Sequence, residues 1–185
     1  MSVPALAEDI VLLALHPTET RDLHNHHGLR DTVRTSELVD QVLAGGPVPT
    51  YSAIMRTLRF SARKSLDPWL ERLAAEGRIE RIGKRGGWLS GPKHLVRDLA
   101  GRHAAQERLY AGFGPAPDPR SAALAVLVGV GNLMRWSARP GDHLQALLDA
   151  GTRVAAGQIP PVGLDPQILP HFARALEKSI FLESD

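Results

Sequence analysis

Residues 57–89 read TLRFSARKSLDPWLERLAAEGRIERIGKRGGWL, a stretch that opens with a basic run and continues into a helical pattern. Its apolar side chains recur at helical spacing over residues 66–73, as on the buried face of a helix. We expect Asp67 to cap this helix and Pro68 to occupy its first position. Gly77 should end it in a left-handed conformation. The stretch therefore predicts a short amphipathic helix with defined ends.

A small basic hairpin is predicted to follow this helix. Residues 78–82 and 88–89 have strand character, and the turn between them is rich in glycine. Lys84 and Arg85 would then lie at the tip of the hairpin. A helix followed by a basic hairpin has the outline of a binding surface.

The rest of the chain predicts a mainly α-helical domain over residues 1–185, with about seven helices and this single hairpin. Most segments show a one-sided apolar pattern with glycine, proline or aspartate at the ends. The first helix is ended by His16 and Pro17. Further helices are predicted over 28–44, from about residue 50, over 92–110, around 144–154 and from Asp165-Pro166 onward.

One segment differs because it is apolar nearly all round. Residues 121–134 read SAALAVLVGVGNLM and follow a capping pair, Asp118 and Pro119. A helix without a polar face belongs in the interior, so we expect this to be the central helix. Gly129 and Gly131 lie within the helix rather than in a strand-to-helix turn, which favours close helix packing over dinucleotide binding.

Composition narrows the class of protein. Hydrophobic residues make up 43% and charged residues 23% of the chain, as in ordinary globular domains. The absence of cysteine excludes disulfides and thiolate zinc sites. No basic region precedes the first apolar run, and no run reaches the roughly 20 residues of a membrane span. We expect a cytoplasmic protein.

The charge is unevenly distributed. Residues 56–102 contain twelve basic and five acidic residues, a local net charge of +7, whereas the remainder has a net charge of −5. Such a segment indicates an anionic partner, either lipid headgroups, nucleic acid or an acidic protein surface. A solvated face on amphipathic helices would give the same pattern.

Catalytic and metal-binding motifs are missing. The sequence has no phosphate loop, nucleophile elbow or helical metalloprotease pair, so we predict neither an enzyme nor a cofactor. His24, His26 and His27 fall in a polar segment, residues 18–27, that we expect to be a loop. Adjacent loop histidines lack the spacing of helical metal ligands, and we predict no metal site there.

The order of segments resembles the Golgi phosphoprotein 3 family, in the form of a shortened bacterial-type member. The resemblance is carried by four pieces in family order. They are PALAEDIVLLAL at 4–15, GLRDTVRTSELVDQVLAGG at 28–46, LERLAAEGRIER at 70–81 and DPRSAALAVLVGVGNLM at 118–134. It implies a largely helical, non-catalytic domain that binds a phosphoinositide headgroup at a basic pocket. It also implies an adaptor at the cytoplasmic face of a membrane, with the tails of membrane proteins as further partners.

The resemblance also suggests which residues bind the headgroup. Arg30 matches the arginine of the family's Gly-Leu-Arg piece. Arg63 matches the first arginine of a later pair, and the position of the second arginine is occupied here by Leu66. Lys64 and Arg59 lie in the same basic run. The expected anion site therefore comprises Arg30, Arg59, Arg63 and Lys64, with anionic phospholipid headgroups as the partner.

A winged-helix DNA-binding regulator is the alternative. Residues 66–89 resemble the last helix and wing of such proteins, and Arg81, Lys84 and Arg85 would then contact the phosphate backbone of nucleic acid. A recognition helix should present polar and basic residues at its start, and the nearest candidate, residues 52–62, carries several apolar ones. An interaction with protein alone also remains open.

Overall fold

The structure is a computed structural model that describes residues 5–16, 18, 26–61, 64–82, 93–139, 141–142 and 144–182, with the backbone alone for 26, 27, 61 and 136. Over these residues it has nine helices and one antiparallel pair of strands, so the predicted mainly helical fold with a small hairpin is confirmed. The elements are α1 (Leu6–Ala14), α2 (His26–Leu43), α3 (Tyr51–Ser61), α4 (Leu66–Ala75), β1 (Ile79–Ile82), β2 (Lys93–Val96), α5 (Leu99–Gly112), α6 (Pro119–Val130), α7 (Met134–Ser137), α8 (Leu144–Ala155) and α9 (Ile168–Leu182).

Helix α6 lies at the centre of the fold, as its all-round apolar sequence predicts. Residues 121–128 are all buried, and α6 packs against α2, α5, α8 and α9. Asp118 caps the helix, since its Oδ1 accepts hydrogen bonds from the backbone N–H groups of Arg120 (3.0 Å) and Ser121 (3.1 Å). The cap satisfies donors that the first turn would otherwise leave unpaired.

Helix α1 is a second central helix, which the sequence pattern does not reveal. All nine of its residues are buried, including Glu8 and Asp9. Glu8 pairs with Arg78, and Asp9 accepts two bonds from Arg108, at 2.8 and 2.5 Å. Buried carboxylates require such partners because desolvation penalises an uncompensated charge.

The directions of the helices around this core bring three helix ends together. Asp31, early in α2, accepts a hydrogen bond from the Ser179 hydroxyl, late in α9, at 2.6 Å. The His171 ring, near the start of α9, lies 3.0 Å from the carbonyl oxygen of Pro49, beyond the end of α2, so these two helices run antiparallel. The Tyr51 ring, at the start of α3, meets the His171 ring near the start of α9, with centroids 6.2 Å apart, so α3 and α9 run in the same direction. Hence α2 begins where α3 and α9 end, and we call this the Phe60 end.

The second strand of the hairpin is not where the sequence predicts it. Residues 88–89, with Lys84 and Arg85, lie outside the described residues, and β1 pairs instead with β2 at 93–96. The register sets Ile79 opposite Val96, both buried. The helix predicted over 92–110 therefore begins only at Leu99. Asp98 accepts from the backbone N–H of Gly101 at 2.7 Å and so caps it.

The predicted helix starts at Asp67 and Asp165 are also shifted. Helix α4 begins at Leu66 with Ser65 as its N-cap, so Asp67 and Pro68 lie within its first turn. Proline is accommodated there because first-turn N–H groups have no acceptor within the helix. Helix α9 begins at Ile168, after a turn in which Asp165 accepts from the Gln167 N–H at 2.9 Å. Gly77 has φ +71°, which confirms the predicted left-handed helix end.

Candidate functional site

Helix α3 divides into a buried face and a basic face. Ile54 and Leu58 are buried in the core, whereas Arg56, Arg59 and Phe60 are exposed. Residues three and four apart share a face of a helix, so these exposed side chains form one stripe. Lys64 is also exposed and follows just after the helix. We call Arg56, Arg59, Phe60 and Lys64 the α3 stripe.

Phe60 is the most unusual member of the α3 stripe. Its side chain is 71% exposed, and the guanidinium of Arg59 lies over the ring, 5.6 Å from its centroid. A phenylalanine gains from leaving water, and this one lies where the fold gives it no apolar cover. An exposed aromatic ring among cations is a feature of surfaces that meet membranes or stacked bases.

Ion pairs and hydrogen bonds within the fold engage several other residues of the basic segment. Arg72 and Arg78 pair with Glu8, and Arg97 pairs with Glu80. Arg102 donates to backbone carbonyls at the end of α1. Within the described part of the chain, neither Arg56, Arg59 nor Lys64 forms an ion pair with a carboxylate. Part of the +7 segment therefore stabilises the fold, and among the described residues its exposed cations outside these pairs lie on the α3 stripe and, as Arg81 and Lys93, on the hairpin.

Arg30 is placed differently from the other residues expected to bind a headgroup. It lies in α2 near the Phe60 end, but its side chain is buried, with 8% exposure, and it interacts within the protein. Arg63 lies outside the described residues. The structure thus places Arg59 and Lys64 on the surface and Arg30 beneath it.

The Phe60 end also carries apolar side chains from α9 that sequence reasoning did not single out. Phe181 and Leu182 end this helix, 66% and 58% exposed. Exposed apolar groups therefore lie at the same end of the molecule as the exposed cations.

Trp69 fixes the position of α4 against α2. Its ring Nε1–H donates to the Glu37 carboxylate of α2 at 2.9 Å, and Arg34 donates to the same carboxylate at 2.6 Å. The Arg72 guanidinium covers the ring at 4.9 Å from its centroid. A half-buried indole whose N–H finds a hydrogen-bond partner acts as an anchor. Lys64, just before α4, is thereby tied to a rigid element.

The alternative nucleic-acid surface is less well supported by charge. Arg81 is exposed on β1, whereas Lys84 and Arg85 lie outside the described residues. Helix α4, which precedes the hairpin, exposes Asp67 and Glu71 over its first two turns. The candidate recognition helix, 52–62, corresponds to α3, so the acidic groups of α4 would lie beside the wing rather than in the groove, where nearby DNA phosphates would still repel them.

The histidine segment is partly helical rather than a loop. Helix α2 begins at His26, so the predicted loop over 18–27 is wrong at its end, and His24 lies outside the described residues. Among the residues that the structure describes, no group of three metal-ligating side chains could hold an ion. Nor is any described helix both long enough and apolar enough to cross a bilayer.

Comparison with known proteins leaves the resemblance to the Golgi phosphoprotein 3 family as a prediction. The chain matches no family model, no curated protein and no solved structure.

Proposed function

We propose that this protein is a non-catalytic, peripheral membrane-binding domain that recognises anionic phospholipid headgroups through the α3 stripe. The observation that carries the proposal is Phe60, an aromatic ring 71% exposed among three exposed cations. Cations attract the acidic surface of a bilayer, and an aromatic ring can then enter the headgroup region. Phospholipid headgroups are the primary partner under this proposal, and membrane-protein tails would be secondary ones.

The arrangement of the Phe60 end favours a membrane over nucleic acid. Phe181 and Leu182 lie at the same end of the molecule as the α3 stripe, and a bilayer interface that covered this end would remove their exposed apolar area from water. A phosphate backbone offers these two side chains no comparable cover. The acidic exposed groups of α4 weaken the nucleic-acid alternative further.

Arg30 has a different role in this proposal from the one that the family resemblance implies. Because it is buried, it supports the α2 start beneath the binding surface, while Arg59 and Lys64 meet the headgroups. Replacing Arg30 should therefore lower the free energy of unfolding as well as binding. Surface variants are the cleaner test.

Two matched double variants separate the alternatives. Arg59→Gln with Lys64→Gln removes two cations from the α3 stripe, and Arg81→Gln with Lys93→Gln removes two from the hairpin. Each basic residue near an acidic membrane contributes about 1 kcal/mol, so the first variant should bind acidic liposomes roughly thirtyfold more weakly. The hairpin variant should bind like the parent protein. Liposome flotation at low and high salt measures both.

Binding to duplex DNA is measured in parallel by mobility shift. If the parent protein binds DNA strongly and only the hairpin variant loses this binding, the membrane proposal is wrong. Equal weakening of flotation by both variants would mean that only net charge matters and that the α3 stripe is not a site. Phe60→Ala adds a third measurement. It should weaken flotation by about tenfold even at high salt, because the apolar contribution is not screened.

A further inference from the structure

A cleft that shares no described residue with the α3 stripe opens where four elements meet: the end of α1, the first turns of α5, helix α7 and the start of α8. Its volume is about 620 Å³, within the range of small-molecule sites. The polar part of its lining is predominantly basic. Among the residues that the structure describes, it comprises His16, Arg102, His103, Arg135 and Arg139, the neutral Thr18 and Gln106, and one acidic residue, Asp142.

Arg102 forms the fixed base of the cleft. Its side chain is only 4% exposed, and its Nη1 donates to the backbone carbonyls of Leu13 (3.2 Å) and Leu15 (2.9 Å). These carbonyls belong to the end of α1, where the helix leaves acceptors unsatisfied. Burial lowers the pKa of Arg102 to about 10. An anion in the cleft would relieve part of this desolvation penalty.

Arg139 and Asp142 are both held by Tyr110. The Arg139 guanidinium lies over the ring at 4.3 Å from its centroid and pairs with Glu107 of α5. The Tyr110 hydroxyl donates to the Asp142 carboxylate. Asp142 also accepts from the Arg139 backbone N–H at 3.2 Å. Asp142, the acidic residue of the described lining, is thus engaged with the wall of the cleft.

Apolar side chains form another part of the lining. Leu99 opens α5 and Leu144 opens α8, and both are exposed, while Ala138 lies between α7 and the turn that follows. Exposed leucines beside clustered cations fit a ligand that has one charged and one apolar part. A bare inorganic anion would leave these leucines in water.

We propose that this cleft binds a small organic anion. Its phosphate or carboxylate group would contact Arg135 and Arg139, and its apolar part would lie against Leu99, Ala138 and Leu144. Arginine suits this role because its planar fork can form two parallel hydrogen bonds to either kind of anion. The site is independent of the membrane surface proposed above, since it uses none of its residues.

Calorimetric titration with phenyl phosphate tests the proposal, with benzoate and inorganic phosphate as further ligands and phenol as the neutral counterpart. Phenyl phosphate or benzoate should bind at least tenfold more tightly than both inorganic phosphate and phenol. Their relative affinities distinguish a phosphate site from a carboxylate site. Arg135→Gln should weaken the tighter ligand by about tenfold or more, through loss of a charged hydrogen bond.

Arg153→Gln is the matched control, because Arg153 is an exposed arginine of α8 that does not line the cleft. It should leave the affinity unchanged, as should the Arg59→Gln, Lys64→Gln double variant. His103→Glu places a negative charge in the lining and provides a second test, which should also weaken binding. Absence of binding at millimolar concentration, or equal losses in Arg135→Gln and Arg153→Gln, would overturn the proposal.

Discussion

Buried charge on α1 is the clearest feature of the molecule at the scale of single residues. Asp9 is almost wholly buried, and desolvation raises its pKa above the ordinary value even though Arg108 donates two hydrogen bonds to it. At neutral pH the ionised carboxylate therefore depends on Arg108. The pair fixes α5 against α1, and Glu8 with Arg78 makes the same kind of connection to the segment before the hairpin.

Arg108→Met should destabilise the protein by about 3–5 kcal/mol at neutral pH, because it leaves a buried charge without its partner. The folded-state pKa of Asp9 then lies still further above its unfolded value of 3.8. As pH falls through the folded-state pKa of Asp9, the native state binds a proton before the unfolded state does. The loss of stability caused by Arg108→Met therefore shrinks, and it disappears below the unfolded-state pKa. Urea unfolding of variant and parent at several pH values between 7 and 4 measures this trend.

Arg97→Met is the control for this prediction, since the Arg97–Glu80 pair lies on the surface. It should cost less than about 1 kcal/mol. A penalty for Arg108→Met that stays constant with pH would show that lost packing, rather than the Asp9 charge, is responsible.

Close helix contact decides the packing at the scale of elements. Gly112 ends α5 against α6, where an added Cβ would lie 2.1 Å from the Ser121 carbonyl oxygen. Gly131 lies just after α6 rather than within it as predicted, but it is equally restricted by the Thr32 hydroxyl at 2.2 Å, so the predicted close packing is confirmed there. Gly129 has no atom within 4 Å of such a Cβ, so the same prediction is wrong for Gly129.

Gly112→Ala and Gly129→Ala should therefore have opposite effects on thermal stability. The first forces two backbones apart and should destabilise by about 1–3 kcal/mol, as overpacking does. The second adds a methyl group in open space within a helix, where alanine is favoured over glycine by about 0.5–1 kcal/mol. Melting curves of the two variants measure the difference. If both lower the melting temperature alike, α5 and α6 do not meet as closely as described.

The comparison of sequence and structure also belongs to this scale. Helices whose signals are local could be predicted, such as α6 with its Asp118 cap and the end of α4 at Gly77. Strand β2 could not be predicted, because Leu95 and Val96 fit a helical period together with Leu99. In the structure this local pattern is overridden by pairing with strand β1, sixteen or more residues earlier in the chain. The burial of α1 on all sides could not be predicted either, since Arg78 and Arg108 compensate its charges from distant parts of the chain.

The candidate site shows the same division at the scale of the whole molecule. The basic run could be read directly, and Arg59 and Lys64 are exposed as a binding role requires. Which cations remain available depends on tertiary pairing, so the sequence could not separate them from Arg72, Arg78 and Arg97. The sequence also could not predict that the apolar residues at the end of α9 lie at the same end of the molecule as the α3 stripe. That placement depends on the relative directions of α3 and α9.

The Phe60 end should face the membrane when the protein binds, and labelling can test this orientation. Because the chain has no cysteine, single-cysteine variants carry one environment-sensitive dye each. Leu182→Cys places the dye at the Phe60 end. Val48→Cys places it on an exposed aliphatic position between α2 and α3, at the opposite end. With acidic vesicles the dye at 182 should become brighter and blue-shifted, while the dye at 48 should not change.

The response at 182 should weaken as salt rises, because the cations of the α3 stripe bring the protein to the surface and their attraction is screened within about 10 Å at 0.1 M salt. Arg59→Gln with Lys64→Gln in the Leu182→Cys background should raise the lipid concentration needed for half the response. It should leave the spectrum at saturation unchanged, since the apolar contacts fix the depth of insertion. A matching response at 48 would mean that the protein binds vesicles without a preferred face, and the role assigned to the Phe60 end would then be wrong.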